Sequence, residues 1–166
     1  MRYFTLSAVV AASLLSVSGD AMAGVKVSFV QPERFVDIKD NQGFRDLAVL
    51  PSLERFLVAG FEKYLPGRDV AVEVIDVDLA GDVEPIGHRG QWLRVMRPIT
   101  SPAVTFKYTV RLGGEVVQQA EVRLRDMNYQ DGFNPFVGSE PLAYENRMLD
   151  RWFQRELAPA VATLGR

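Results

Sequence analysis

The chain has 166 residues, 48% of them apolar and 24% charged, with a formal net charge of −2. These are values of a folded globular protein, and they supply no basic field of the kind a nucleic-acid binder carries. There is no cysteine and a single histidine, His88. That excludes a disulfide framework, a thiolate metal site and a cysteine nucleophile, and leaves serine triads and multi-imidazole zinc sites almost no material.

The first 23 residues read as a cleavable secretory signal peptide. Arg2 supplies the positive start, Leu6 to Val17 the short apolar stretch, and Ala21-Met22-Ala23 the small-x-small cleavage site ahead of Gly24. The apolar stretch is too short for a stable bilayer anchor. No cysteine follows it, so no lipid anchor is expected, and no later segment is apolar for long enough to span a membrane. The expected product is a periplasmic protein, residues 24–166, folded as a single α+β domain. A domain of that size buries roughly 70% of its unfolded surface and can rest on its core without staples.

Val25 to Val30 alternates as a half-buried strand does, with Val25, Val27 and Phe29 on one face. Residues 31–45 carry Pro32, Asn41 and Gly43 among charges and read as a loop. A helix then opens at Pro51-Ser52. Leu53, Phe56, Leu57, Phe61, Tyr64 and Leu65 form its apolar stripe, and Pro66-Gly67 ends it. Val70 to Leu79 is the second strand. Val70, Val72 and Val74 share one face and Ile75, Val77 and Leu79 the other, so it is either buried on both sides or bulged. Gly81 to Gly90 reads as a polar turn region and Trp92 to Met96 as a short strand or extended segment.

A hairpin follows. Val104, Phe106, Tyr108, Val110 and Leu112 share a face, Gly113-Gly114 turns the chain, and Val116, Ala120, Val122 and Leu124 return. A two-residue turn continued in simple register sets Phe106 against Glu121. A three-residue loop, 113–115, pairs Leu112 with Val116, Tyr108 with Ala120, Phe106 with Val122 and Lys107 with Glu121, so the longer loop is predicted. Residues 126–139 read as a long loop. A last helix is predicted from about Ser139 or Pro141 to Leu157, with Leu142, Leu149, Trp152, Phe153 and Leu157 inward and Arg147, Asp150, Arg151, Gln154 and Arg155 outward. The economical fold is a two-layer α+β sandwich: a mainly antiparallel sheet of about four strands with two helices on one face. The first two strands are parallel if they are neighbours, because a helix joins them.

The runs VKVSFVQPERFVDI, YLPGRDVAVEVIDVDLAGDVEP, LRVMRPI, VRLRDMNY and SEPLAYENRMLDRWFQREL together resemble a bacterial exported family, domain of unknown function 3016. DVDLAG and YENRMLDRWF are the most specific parts. The resemblance implies an envelope location in Gram-negative bacteria and no established activity. An acidic residue often follows the VMR run in that pattern. Here the position is Pro98, so no role resting on a charge there carries over.

Several groups invite a chemical reading. Asp76 and Asp78 lie on one side of a strand, followed by Asp82, Glu84 and His88. Side-by-side carboxylates suit a divalent cation or acid–base work, as in a metal-assisted or carboxylate-based hydrolase. The plainer reading is a solvated strand end whose charges meet arginines, and the spacing matches no EF-hand loop. Arg94, Arg97, Arg123 and Arg125 are expected on the polar side of the same sheet, as an anion cleft or as a cross-strand charge ladder. Phe133 and Phe136 either fold back over the core edge or anchor a partner. There is no P-loop, G-x-G-x-x-G or G-x-S-x-G, so nothing calls for a cofactor, and no catalytic or metal-ligating residue is assigned. The preferred reading is a non-enzymatic binding module that meets an envelope protein or ligand through its helix-free sheet face and the 126–139 loop, with Asp76, Asp78, Arg94, Arg97, Arg125, Phe133 and Phe136 as candidate contacts.

Overall fold

The computed structural model describes residues 24–39, 44, 46–86, 91–139 and 142–160. The leader, His88 and Pro141 lie outside the described residues. β1 (Val25–Phe29), β2 (Asp69–Asp78), β5 (Ala103–Leu112) and β6 (Glu115–Arg125) form one sheet in the order β1-β2-β5-β6. β1 runs parallel to β2, and the other pairs are antiparallel. A second, two-stranded sheet joins β3 (Asp82–Ile86) to β4 (Gln91–Val95). α1 (Leu50–Tyr64) and α2 (Ala143–Trp152) cover one face of the larger sheet, so the α+β sandwich is the fold observed.

The core is the apolar stripe of each helix pressed on the inward side chains of the strands. Leu53, Leu57 and Phe61 of α1 and Leu149 and Trp152 of α2 meet Val70, Val72, Val74, Val104, Phe106 and Val110. Phe61 stands edge-on to Phe106, Trp152 and Phe153 at centroid distances of 6.4, 5.9 and 5.2 Å. Such geometry adds to the area term because ring edges are positive and ring faces negative. The helices approach closely at Gly60, where a Cβ would lie 2.2 Å from the Phe153 ring. After Trp152 the helix loosens into a π-turn, Phe153–Leu157, and Phe153 and Leu157 remain buried.

β2 is bulged. Val74 pairs with Phe106 and Asp76 with Thr105, which leaves Ile75 as the extra residue. The bulge brings Val77 back to the core side with Val74 and turns Asp76 and Asp78 outward. The β5–β6 hairpin combines the two registers weighed above. Leu112 pairs with Glu115 across a two-residue turn, in which Gly113 and Gly114 both have positive φ, 59° and 87°. That is the conformation whose twist suits a hairpin. A register shift between Val110 and Arg111 then restores Tyr108 with Ala120, Phe106 with Val122 and Lys107 with Glu121. The predicted three-residue loop is therefore wrong, and the predicted body of the ladder is right. Burial decides the register only where side chains are buried, and Leu112 and Val116 at the tip are exposed.

Two segments read as loops carry more structure than expected. After a 3₁₀ turn at Pro32–Arg34, residues 36–38 return alongside the end of β2. Asp37 N–H donates to the Val77 carbonyl at 3.3 Å, and Leu79 N–H to the Asp37 carbonyl at 3.1 Å. This buries Phe35 and Ile38. The 82–86 part of the predicted turn region is β3, despite Pro85, a residue that the edge of a small hairpin tolerates.

Candidate functional site

Three buried or half-buried charged side chains gather the chain at the C-terminal end of β2. From β4, Arg94 donates from Nη1 to Asp37 Oδ2 at 2.8 Å and to the Gly81 carbonyl at 3.1 Å, and from Nη2 to the Lys39 carbonyl at 2.8 Å. It fastens the small sheet to the 36–39 segment. From α2, Glu145 accepts from Ala80 N–H at 2.7 Å with 3% of its surface exposed. Burial pushes its carboxyl above the ordinary range, against the pull of that hydrogen bond and of Arg94. Two residues further on, Arg147, also 3% exposed, donates to the carbonyls of Asp131, at 2.9 Å, and Tyr129, and to the Asp126 carboxylate at 3.3 Å. Arg147 thereby shapes the 126–131 loop. Tyr129 in turn is buried and donates to the Arg97 carbonyl at 2.9 Å.

Gly81 must be glycine. Its φ is 78°, and a Cβ would sit 2.7 Å from the Val95 carbonyl oxygen. Its N–H donates to the Thr100 carbonyl at 2.9 Å, which brings the 97–101 turn against the end of β2.

Two hollows open on this junction. A cleft of about 440 Å³ has Leu79, Ala80, Arg94, Met96, Tyr144 and Glu145 among its walls. A second, of about 240 Å³, is walled by Asp37, Asp78, Ser101 and Arg125, with Val36 and Ile99 on its lining. In the second, Arg125 donates to Ser101 Oγ at 3.0 Å and to Asp78 Oδ2 at 3.3 Å. Burial raises the Asp78 carboxyl above its ordinary value, and the neighbouring Arg125 only partly offsets that. Ser101 Oγ lies 3.5 Å from the sulfur of Met127. Val36, Ile99 and Met127 are 62, 83 and 63% exposed, so apolar side chains stand in water around a charged pair.

A family model described as Protein of unknown function (DUF3016) matches residues 23–155. The chain belongs to that family. No curated protein and no solved structure matches it. The runs that carry the DUF3016 resemblance find their places here: DVDLAG ends β2, LRVMR holds Arg94, RDMNY holds Arg125 and Tyr129, and YENR holds Glu145 and Arg147.

The candidate contacts divide. Asp76, Asp78 and Arg125 lie together at the lower end of the helix-free face, and Arg94 reaches the same junction through Asp37. Arg94 and Arg97 do not lie on the larger sheet, contrary to expectation. Arg94 belongs to β4, and Arg97 follows it, paired with Glu84 of β3 at 2.6 Å. Arg123 and Arg125 do lie on that sheet, and Arg125 reaches across to Asp78 of β2, as in the ladder reading. Arg123 pairs with Glu121 on its own strand, and Lys107 reaches Glu121 from β5 at 3.8 Å. Asp76 Oδ1 is engaged by two backbone donors, Val36 N–H and Val77 N–H, both at 3.0 Å. No three acidic or histidine side chains converge on one point among the described residues. Phe136 folds back on Phe56, ring centroids 5.5 Å apart, whereas Phe133 is 87% exposed.

Sequence reasoning missed Asp37, Glu145 and Tyr129, and it set Arg147 on the solvent face of α2. The available signal was the polar run Glu145-Asn146-Arg147 at the start of an amphipathic helix, all three of which are buried.

Proposed function

We propose that the protein is an exported, non-enzymatic binding module of the cell envelope that takes a protein partner at the lower end of its helix-free sheet face. The observation that carries the reading is the hollow around Asp78 and Arg125, with Val36, Ile99 and Met127 exposed about it. Protein contact sites concentrate energy in apolar anchors around polar groups that become desolvated on binding. Arg125, held by Ser101 and Asp78, presents its donors with little rotamer freedom left to lose. Phe133 lies further along the loop whose first residues border the hollow and adds an exposed aromatic anchor. The hydrolase alternative lacks comparable support, because Asp76 is occupied by backbone N–H groups and Asp78 by arginine.

Export rests on the leader pattern and on what family membership implies. Photo-crosslinking in intact cells tests the contact surface. A benzophenone side chain at Ile99 or Met127 is expected to give one adduct of defined mass that disappears with Asp78→Lys, and none when placed at Glu62, on the exposed side of α1. Equal labelling at all three positions, or no adduct at Ile99 and Met127, would overturn the reading.

A further inference from the structure

The larger sheet ends in an unusually open edge. β6 is eleven residues long and lies outermost in the sheet, with β5 on its inner side. In an antiparallel pair every second residue turns its N–H and C=O away from its neighbour. Nothing among the described residues accepts or donates along that outer side of β6. Natural edges are blunted by proline, bulges or inward charges. β6 has no proline, and its register shift lies beside the turn, which leaves Gln118 to Arg125 regular. The other edge, β1, has five residues.

The side chains of β6 are self-complementary. Ala120, Val122 and Leu124 lie half-buried on the core face, and Glu121, Arg123 and Arg125 on the polar face. From this pattern we infer that two copies of the chain pair antiparallel through β6, with Val122 on the two-fold axis. In that register Val122 meets Val122 and Ala120 meets Leu124 on the core side, which shields apolar surface now half-exposed. On the polar side Glu121 meets Arg123 twice and Gln119 meets Arg125 twice. Each Glu121 already holds Arg123 of its own chain, so the four charges form an alternating square. Neighbouring registers that keep core face with core face are worse. Centring on Glu121 opposes two carboxylates, and centring on Arg123 opposes two guanidiniums. Centring on Ala120 sets Arg123 against the irregular stretch beside the turn. The product is one continuous eight-stranded sheet with all four helices on the same side.

The chain has no cysteine, which allows a clean test. Directly opposed residues of an antiparallel pair lie about 4.5–5.5 Å apart, within disulfide reach. Val122→Cys in the purified protein is expected to oxidise to a covalent dimer, while Thr105→Cys, on the polar face of the inner strand β5, gives no covalent dimer. By sedimentation, Glu121→Arg is expected to weaken association about tenfold or more, and Glu121→Arg with Arg123→Glu to restore it. Melting curves of each variant confirm that it is folded. A wild-type protein that sediments as a monomer at high concentration, or a charge swap that fails to restore a lost dimer, would overturn the inference. So would a folded Val122→Cys variant that gives no crosslink.

Discussion

Glu145 is the residue whose environment most changes its chemistry. A carboxyl this buried holds its proton to higher pH than it does in the unfolded chain. The folded state then binds more protons than the unfolded state from the ordinary glutamate pKa upward. The contribution of Glu145 to stability is therefore complete below that pKa and is lost as pH rises through the raised value. Asp78 acts in the same direction. Glu145→Gln keeps an acceptor for Ala80 N–H and removes the titration. Chemical denaturation should find it at least as stable as the wild type at pH 7, with a flatter dependence on pH above the ordinary glutamate pKa. A variant that is weaker by the same amount at every pH would mean that Glu145 is not the titrating group. Little of this is legible in the sequence. Periodicity identifies Leu149, Trp152 and Leu157 as inward, because apolar burial has one sign. It sends Arg147 outward, because nothing local announces the carbonyls of a loop sixteen to eighteen residues away.

Among the elements, the close approach of α1 to the α2 region turns on the Phe153 ring against the bare backbone of Gly60. The ring also stacks on Tyr64, 5.8 Å away and 9° from parallel. Gly60→Ala would ordinarily help a helix by roughly 1 kcal/mol. Here overpacking reverses the sign, and urea unfolding should show a loss of about 2 kcal/mol, partly recovered when Phe153→Leu is added. A stabilised Gly60→Ala protein would mean that the helices stand further apart. The strands were legible where alternation is long, as in β5, and poorly legible where it is short or interrupted. Pro85 masks β3, and Ile75 shifts the phase of β2 so that one face looks like two. The return of 36–38 beside β2 depends on a partner forty residues away, which no local pattern encodes.

At the scale of the molecule, composition and element order suffice for the α+β class, and burial on one face places both helices together. Strand order stays open until the pairing is seen, because β1-β2-β5-β6 is one of several arrangements with the same alternation. No helix among the described residues is long and apolar enough to cross a membrane. If the leader is trimmed as its pattern predicts, intact mass spectrometry of the protein recovered from cells will show a chain beginning at Gly24. A mass that includes Met1, from the cytosol, would remove the envelope from the account.

The central physical claim is that the buried Arg147, not the hydrophobic core alone, holds the 126–131 segment in place beside the proposed contact surface and, through Tyr129, the 97–101 turn. Arg147→Met tests it most directly. It keeps the volume and strands the carbonyls, at a cost of about 3 kcal/mol. Amide hydrogen exchange of this variant, compared with wild type under native conditions, should show protection falling about tenfold or more in those two segments while β2 and β5 change less. Unchanged exchange there, or a uniform loss across the whole sheet, would contradict it.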